Sequence, residues 1–277
     1  MRIPFWKYES VGNDFPILSL AELPPSPDLN RLAIKMCDRR FGIGGDGLLT
    51  LEQVEADRLN LRMFNPDGTE DFCGNGIRCA ARYASDLGWV GESFEIRHLG
   101  RTVPVRIQGD LIVTEIGKAS YRPADVPLRP GFKELFQTPI YWSETETIQG
   151  SALTTGSTHV ILPVESLPST EELERLGPLI EHFELYPART SVIWTKVVSR
   201  NHLKIRIWER GVGETLGCGT GSSAAAMDYL RAERRGGEVK VDNPGGSVRV
   251  SAAAWEAAIT IFGEAQAVFS GRFLDHS

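Results

Sequence analysis

Two cysteines each open the same short phrase: Cys73-Gly74-Asn75-Gly76-Ile77-Arg78-Cys79-Ala80-Ala81 and Cys218-Gly219-Thr220-Gly221-Ser222-Ser223-Ala224-Ala225-Ala226. A phrase that returns roughly half a chain later points to one structural unit used twice. The small apolar residues behind each phrase predict a helix, so each thiol stands just ahead of a helix N-terminus. Free N–H groups at that position lower the pKa of a thiol and make its thiolate available near neutral pH. Two such thiols can serve as a base and an acid. The same N–H groups form an anion site, so the chemistry suggested is proton transfer beside a bound carboxylate or phosphate.

The rest of the composition narrows the setting. A chain of 277 residues with an internal repeat favours two similar lobes over one large domain. Its 42% hydrophobic and 24% charged residues suit two packed cores and argue against disorder. A net charge of −6, with Arg231, Arg234 and Arg235 as only a short basic cluster, argues against a nucleic-acid-tracking surface. Residues 1–7 contain no long apolar run, and no segment has the length of a membrane span. The expectation is a cytoplasmic chain. The four cysteines lack metal-finger spacing and are expected to be thiols, with Cys37 and Cys79 as small buried hydrophobes.

The elements that must position the thiols repeat as well. An alternating strand precedes each phrase, Leu61-Arg62-Met63-Phe64-Asn65 in the first copy and Ile205-Arg206-Ile207-Trp208-Glu209 in the second. A turn follows each strand, Asn65-Pro66-Asp67-Gly68 and Arg210-Gly211-Val212-Gly213, with Glu70 and Glu214 just beyond. Downstream of each phrase lies a hairpin, around Gly100 in one copy and around Asn243-Pro244-Gly245-Gly246 in the other. Ile77, Ala80, Ala81, Ala84 and Leu87 recur at helical spacing, with Gly88 placed as a C-terminal cap. Alanine-rich helices of this kind suit the centre of a strongly curved sheet. The Pro-rich run 23–27 reads as a surface loop before a helix over 29–36, and the lobe junction is expected near 117–123.

Other residues invite a chemical reading. Gly42-Ile43-Gly44-Gly45-Asp46-Gly47 lacks the ending of a phosphate-binding loop, leaving a tight turn or a ligand contact open. His159 stands at the entrance of the apolar run Val160-Ile161-Leu162, where side chains often line a cleft, although a lone histidine is usually structural. Glu209 and Arg210 are either a solvated pair or, facing a cleft, a proton acceptor and a two-pronged carboxylate clamp.

Together these phrases resemble the diaminopimelate epimerases, a family of cofactor-independent amino-acid epimerases. The resemblance runs through Gly12-Asn13-Asp14-Phe15, Asp38-Arg39-Arg40-Phe41-Gly42-Ile43-Gly44, Phe64-Asn65-Pro66-Asp67-Gly68, Cys73-Gly74-Asn75-Gly76, Glu209-Arg210-Gly211 and Gly213-Glu214-Thr215 leading to Cys218-Gly219-Thr220-Gly221. It implies an α+β fold of two pseudo-symmetric lobes, each a barrel-like, mostly antiparallel sheet around a central helix, with the active site in the cleft between them. The lobes so implied are residues 1–118 with the returning segment 264–277, and residues 119–263. The implied reaction turns LL-2,6-diaminopimelate into the meso isomer, a precursor of lysine and peptidoglycan. Cys73 and Cys218 become thiolate base and thiol acid, and His159 and Glu209 tune or orient them. The substrate contacts implied are Asn13, Asn65, Gly74, Asn75, Ser157, Ser191, Arg210, Gly219 and Thr220. Neither pyridoxal phosphate nor a metal is required, the partner is a small amino acid, and the family tends toward homodimers.

Two positions depart from the family pattern. Where an asparagine usually helps hold the distal end of the substrate, this chain has Ser157 and Ser191. A hydroxyl is shorter than an amide and leaves a wider or wetter pocket. Two other readings therefore stand beside the first: a related racemase acting on another amino acid, and a binding or redox-sensing protein whose paired thiols oxidise reversibly.

Overall fold

The computed structural model describes residues 2–132, 134–141 and 147–275, so residues 276 and 277 of the expected returning segment lie outside the described residues. The chain divides into two compact units, residues 1–115 with 262–277, and residues 116–261. The division falls within a strand, a little ahead of the loop at which the sequence places the junction.

In the first unit, β1 (Arg2–Ser10) and β2 (Asn13–Ser19) form a hairpin, α1 (Leu29–Cys37) follows, and β3 (Leu48–Glu55) pairs in parallel with β2. A helical crossover is what a parallel pair requires. β4 (Arg58–Phe64) pairs antiparallel with β3, and α2 (Gly74–Asp86) then carries the chain to β5 (Ser93–His98), parallel to β4. β6 (Arg101–Gln108) and β7 (Leu111–Lys118) continue as antiparallel neighbours.

The second unit opens with β8 (Thr138–Tyr141) and β9 (Thr147–Thr154), then repeats this plan. β10 (Thr158–Pro163) pairs antiparallel with β9, α3 (Thr170–Glu181) crosses over, and β11 (Ser191–Ser199) lies parallel to β10. β12 (His202–Glu209) pairs antiparallel with β11 and with the short β13 (Gly213–Glu214). α4 (Gly219–Ala232) leads to β14 (Gly237–Asn243), parallel to β12, and β15 (Gly246–Ala252) closes a hairpin with β14. After β16 (Ala258–Glu264), the last strand, β17 (Gln266–Leu274), pairs with β1 and so belongs to the first unit. The likeness extends to irregularities: the β3–β4 pair shifts register between Gln53 and Glu55, and the β11–β12 pair between Val197 and Ser199.

The helices that carry the two phrases are buried nearly all round, as a central helix must be. Ala80, Ala81 and Ala84 of α2, and Ala224, Ala225 and Ala226 of α4, are fully buried. Their small side chains let strands approach closely; α2 packs against Leu49, Leu61, Ile96 and Val105 of the surrounding strands. Leu87 departs from the expected apolar stripe: it is the C-cap of α2, 41% exposed, because the helix ends one residue earlier. Gly88 follows at φ +68, the left-handed position of a helix-terminating glycine.

The glycine-rich segment after α1 is a structural turn. Ile43 and Gly44 both donate their N–H to the Met36 carbonyl at 2.9 Å, closing the helix end. A side chain at position 42 would meet the Lys35 carbonyl oxygen at 2.1 Å, so only glycine fits there.

Candidate active site

Each unit gathers its chemistry-bearing residues at one place: the start of one strand, the end of another and the N-terminus of the central helix. In the first unit these are the start of β2, the end of β4 and the start of α2. In the second they are the starts of β10 and β11, the end of β12 and the start of α4.

Cys73 is the N-cap of α2, extended at φ −133 and ψ 114, and its sulfur accepts the Gly76 N–H at 3.4 Å. The turn before it is held by Asn65, whose N–H donates to the Thr69 carbonyl at 2.8 Å and whose amide donates to the Thr69 hydroxyl at 3.1 Å. Arg62 grips Glu70 through two hydrogen bonds, of 2.9 and 2.8 Å, fixing the strand against the segment that leads to the thiol. Gly74 begins the helix, and Asn75 is buried on it. The Asn75 amide donates to Asn13, whose own amide donates to Asp46 at 2.9 Å.

Arg78, one helical turn beyond Asn75 and fully buried, holds this chain from below. Its guanidinium donates to the side-chain amide oxygen of Asn75 and, at 3.0 Å, to the Ser10 hydroxyl. At the other end Arg39 bridges Asp14 and Asp46, each at 2.7 Å. Burial alone would raise the Asp14 pKa, but hydrogen bonds from Arg39 and Lys7 hold it below its ordinary value.

The second unit repeats the thiol. Cys218 is the N-cap of α4 at φ −137 and ψ 117, and its sulfur accepts the Gly221 N–H at 3.4 Å. The Thr220 hydroxyl lies 3.3 Å from the same sulfur and 3.3 Å from the Ser157 hydroxyl. Ser157 in turn lies 3.1 Å from Nε2 of His159. His159 is fully buried, and its pKa is lowered to about 3, first by desolvation and then by the nearby charge of Arg210, so the ring is neutral. Across the β10–β11 pair, His159 stands opposite Ser191.

Ser191 is buried and its hydroxyl accepts the Arg210 N–H at 3.1 Å, while the exposed Arg210 side chain donates to the Ala188 carbonyl at 3.2 Å. Glu209, half-buried at the end of β12, accepts the Thr215 hydroxyl. Glu209 and Arg210 are thus each oriented by a different neighbour. Gly219 is the first residue of α4 and is buried.

Three supporting residues carry no sequence signal of their own. Glu181, buried at the end of α3, accepts the Gly211 N–H at 2.9 Å, the Trp208 ring N–H at 2.8 Å and Arg189 at 3.1 Å, which fixes the turn bearing Arg210. Thr155 donates to the Thr220 carbonyl at 2.8 Å. Arg78 lies inside the repeated phrase, yet only the fold reveals its burial.

All four cysteines are thiols outside any disulfide, and the other two differ in kind. Burial pushes Cys37 up to about 12 and Cys79 well above its ordinary value, leaving both inert. Among the described residues no group of three or more His, Cys, Asp or Glu is arranged to hold a metal, and no helix is long and apolar enough to cross a membrane.

Solved structures share the fold at low identity. A phenazine biosynthesis protein of the PhzF family from Bacillus anthracis aligns with a TM-score of 0.72 at 18% identity, covering 99% of this chain and all of that one. A hydroxyproline epimerase from Agrobacterium vitis aligns at 0.70 and 12%, covering 99% of this chain and 92% of that one. Sequence relatives are nearer: a diaminopimelate epimerase of Synechococcus sp. (strain JA-3-3Ab) is 35% identical over 98% of both chains, and one of Moorella thermoacetica is 34% identical over 97% of this chain and 98% of its own. The diaminopimelate epimerase family model matches residues 5–122 and 151–268. The chain belongs to the diaminopimelate epimerase family of isomerases.

Proposed function

We propose that this enzyme converts LL-2,6-diaminopimelate to the meso isomer by a two-base mechanism that uses no pyridoxal phosphate. The observation that carries the reading is the duplicated thiol: Cys73 and Cys218 are the N-caps of the two central helices and their sulfurs accept the same kind of backbone N–H. One sulfur, as thiolate, removes the α-proton; the other, as thiol, delivers a proton to the opposite face of the α-carbon. Which does which depends on the direction of reaction.

The N–H groups around Gly74, Asn75, Gly219 and Thr220 bind the reacting carboxylate, where negative charge builds as the proton leaves. Glu209 and neutral His159 orient the thiols and the substrate amine. Asn13 is a further substrate contact, and Asn65 with Arg210 takes the distal end, whose carboxylate a guanidinium binds through two parallel hydrogen bonds. Ser157 and Ser191 border that distal end. The enzyme acts as a homodimer, a reading that rests on the family resemblance, and in the cytoplasm, which its unbridged cysteines also favour.

Ser157 and Ser191 also favour a second reading, the same chemistry on another amino acid. Incubation in deuterium oxide with a panel of amino acids separates the two. The expected result is α-deuterium in diaminopimelate; exchange into another amino acid with none into diaminopimelate would overturn the substrate and keep the chemistry.

A further inference from the structure

We propose that Ser157 is a positioning residue for Cys218: with Thr220 it forms a two-hydroxyl bridge that carries the orientation of the buried His159 ring to the Cys218 sulfur. The proposal rests on reading Cys218 as an acid-base group, and it gives Ser157 a task apart from the distal end of the substrate.

The bridge is continuous. His159 Nε2 lies 3.1 Å from the Ser157 hydroxyl, which lies 3.3 Å from that of Thr220, which lies 3.3 Å from the Cys218 sulfur. Its direction follows from the far side of the ring. His159 Nδ1 is buried without a hydrogen-bond partner among the described residues. A proton placed there would be an orphaned buried donor, whereas a bare nitrogen forfeits only an acceptor contact. The neutral ring therefore carries its proton on Nε2 and donates to Ser157.

Each hydroxyl has one proton to give. Ser157, receiving from His159, donates to Thr220, and Thr220 donates to the sulfur. Together with the Gly221 N–H at 3.4 Å, this places two donors on Cys218. Donors aimed at the sulfur favour its anionic form over the thiol. Thr220 is held for this task by the hydrogen bond from Thr155 to its carbonyl. An asparagine at position 157 would bring an amide with separate donor and acceptor atoms; a hydroxyl can receive and pass on through one oxygen.

The test is the rate at which iodoacetamide alkylates Cys218 at fixed neutral pH, followed by mass spectrometry of the cysteine peptides in the full chain. Cys73, in the other unit, is the internal control. Ser157→Ala and Thr220→Val are each expected to slow Cys218 alkylation about three- to tenfold, the size of one lost hydrogen bond between uncharged groups. The double variant should be no slower than either single one, and Ser157→Thr should restore the rate. In turnover, kcat falls in Ser157→Ala by a larger factor than KM changes. An unchanged Cys218 rate in both single variants overturns the proposal, as does a raised KM with unchanged kcat and alkylation, which assigns Ser157 to the substrate alone. Alkylation needs no substrate, so its outcome is independent of whether diaminopimelate is the right one.

Discussion

Cys73 and Cys218 occupy the same position in their units: each caps the central helix, with φ and ψ agreeing within a few degrees, and each accepts the N–H of the residue three further on at 3.4 Å. That third residue is glycine both times, Gly76 and Gly221. A thiol that caps a helix has its sulfur held by the backbone in the positive potential of the helix end.

The two glycines leave room for the sulfur. A Cβ at position 221 would lie 3.0 Å from Ile193, 3.3 Å from the Cys218 Cβ and 3.5 Å from its sulfur; at position 76 it would lie 3.1 Å from Leu49 and 3.4 Å from the Cys73 Cβ. Gly221→Ala is therefore expected to press on Ile193 and on the Cβ that carries the Cys218 sulfur and to lower kcat by about tenfold or more, with Gly76→Ala milder. Assays of the two purified variants check this, and wild-type kcat in Gly221→Ala would contradict it.

Arg78 ties the α2 helix to the Asn75–Asn13 chain. In Arg78→Met the side-chain amide oxygen of Asn75 loses that donor while remaining buried, and unfolding stability is expected to fall by about 1–3 kcal/mol. Asn75 also loses its orientation, so kcat/KM falls with it. Urea unfolding at constant pH gives the first quantity; an unchanged midpoint with unchanged slope would show that the guanidinium is dispensable.

His159 makes stability sensitive to acid. Its folded pKa of about 3 lies below the ordinary value near 6.5, through burial first and Arg210 second. Between those values the unfolded chain takes up a proton that the native chain refuses, so stability is full above about pH 6.5 and declines as the pH falls toward 3. At pH 5 the share due to this ring is about 2 kcal/mol. In His159→Gln the difference in stability between pH 7 and pH 5 should shrink by about that amount, and an identical difference in both proteins would refute the assignment.

Much of the site was legible because it is written locally. The thiol phrases, the alternating strands before them and the alanine-rich helices behind them lie within short windows, and local pattern reports local structure. What the pattern could not report is contact at a distance. Thr155 meets Thr220 across 65 residues, and Glu181 holds Gly211 across 30. The side chains of β17 are largely exposed on both faces, so no alternation marks it as the strand that returns to β1. The burial of Arg78 likewise depends on strands from elsewhere in the unit; on a helix wheel it reads as an ordinary surface arginine.

In the proposed mechanism both thiols take part in one proton exchange. Cys73→Ser and Cys218→Ser, each confirmed as folded, would be assayed for conversion of LL-diaminopimelate to the meso isomer in deuterium oxide, with the α-deuterium content of the product measured by mass spectrometry. The native enzyme is expected to give meso product carrying α-deuterium, and each variant to lose at least about 10²-fold in turnover, the usual worth of a positioned acid or base. Full turnover in either variant would contradict this mechanism.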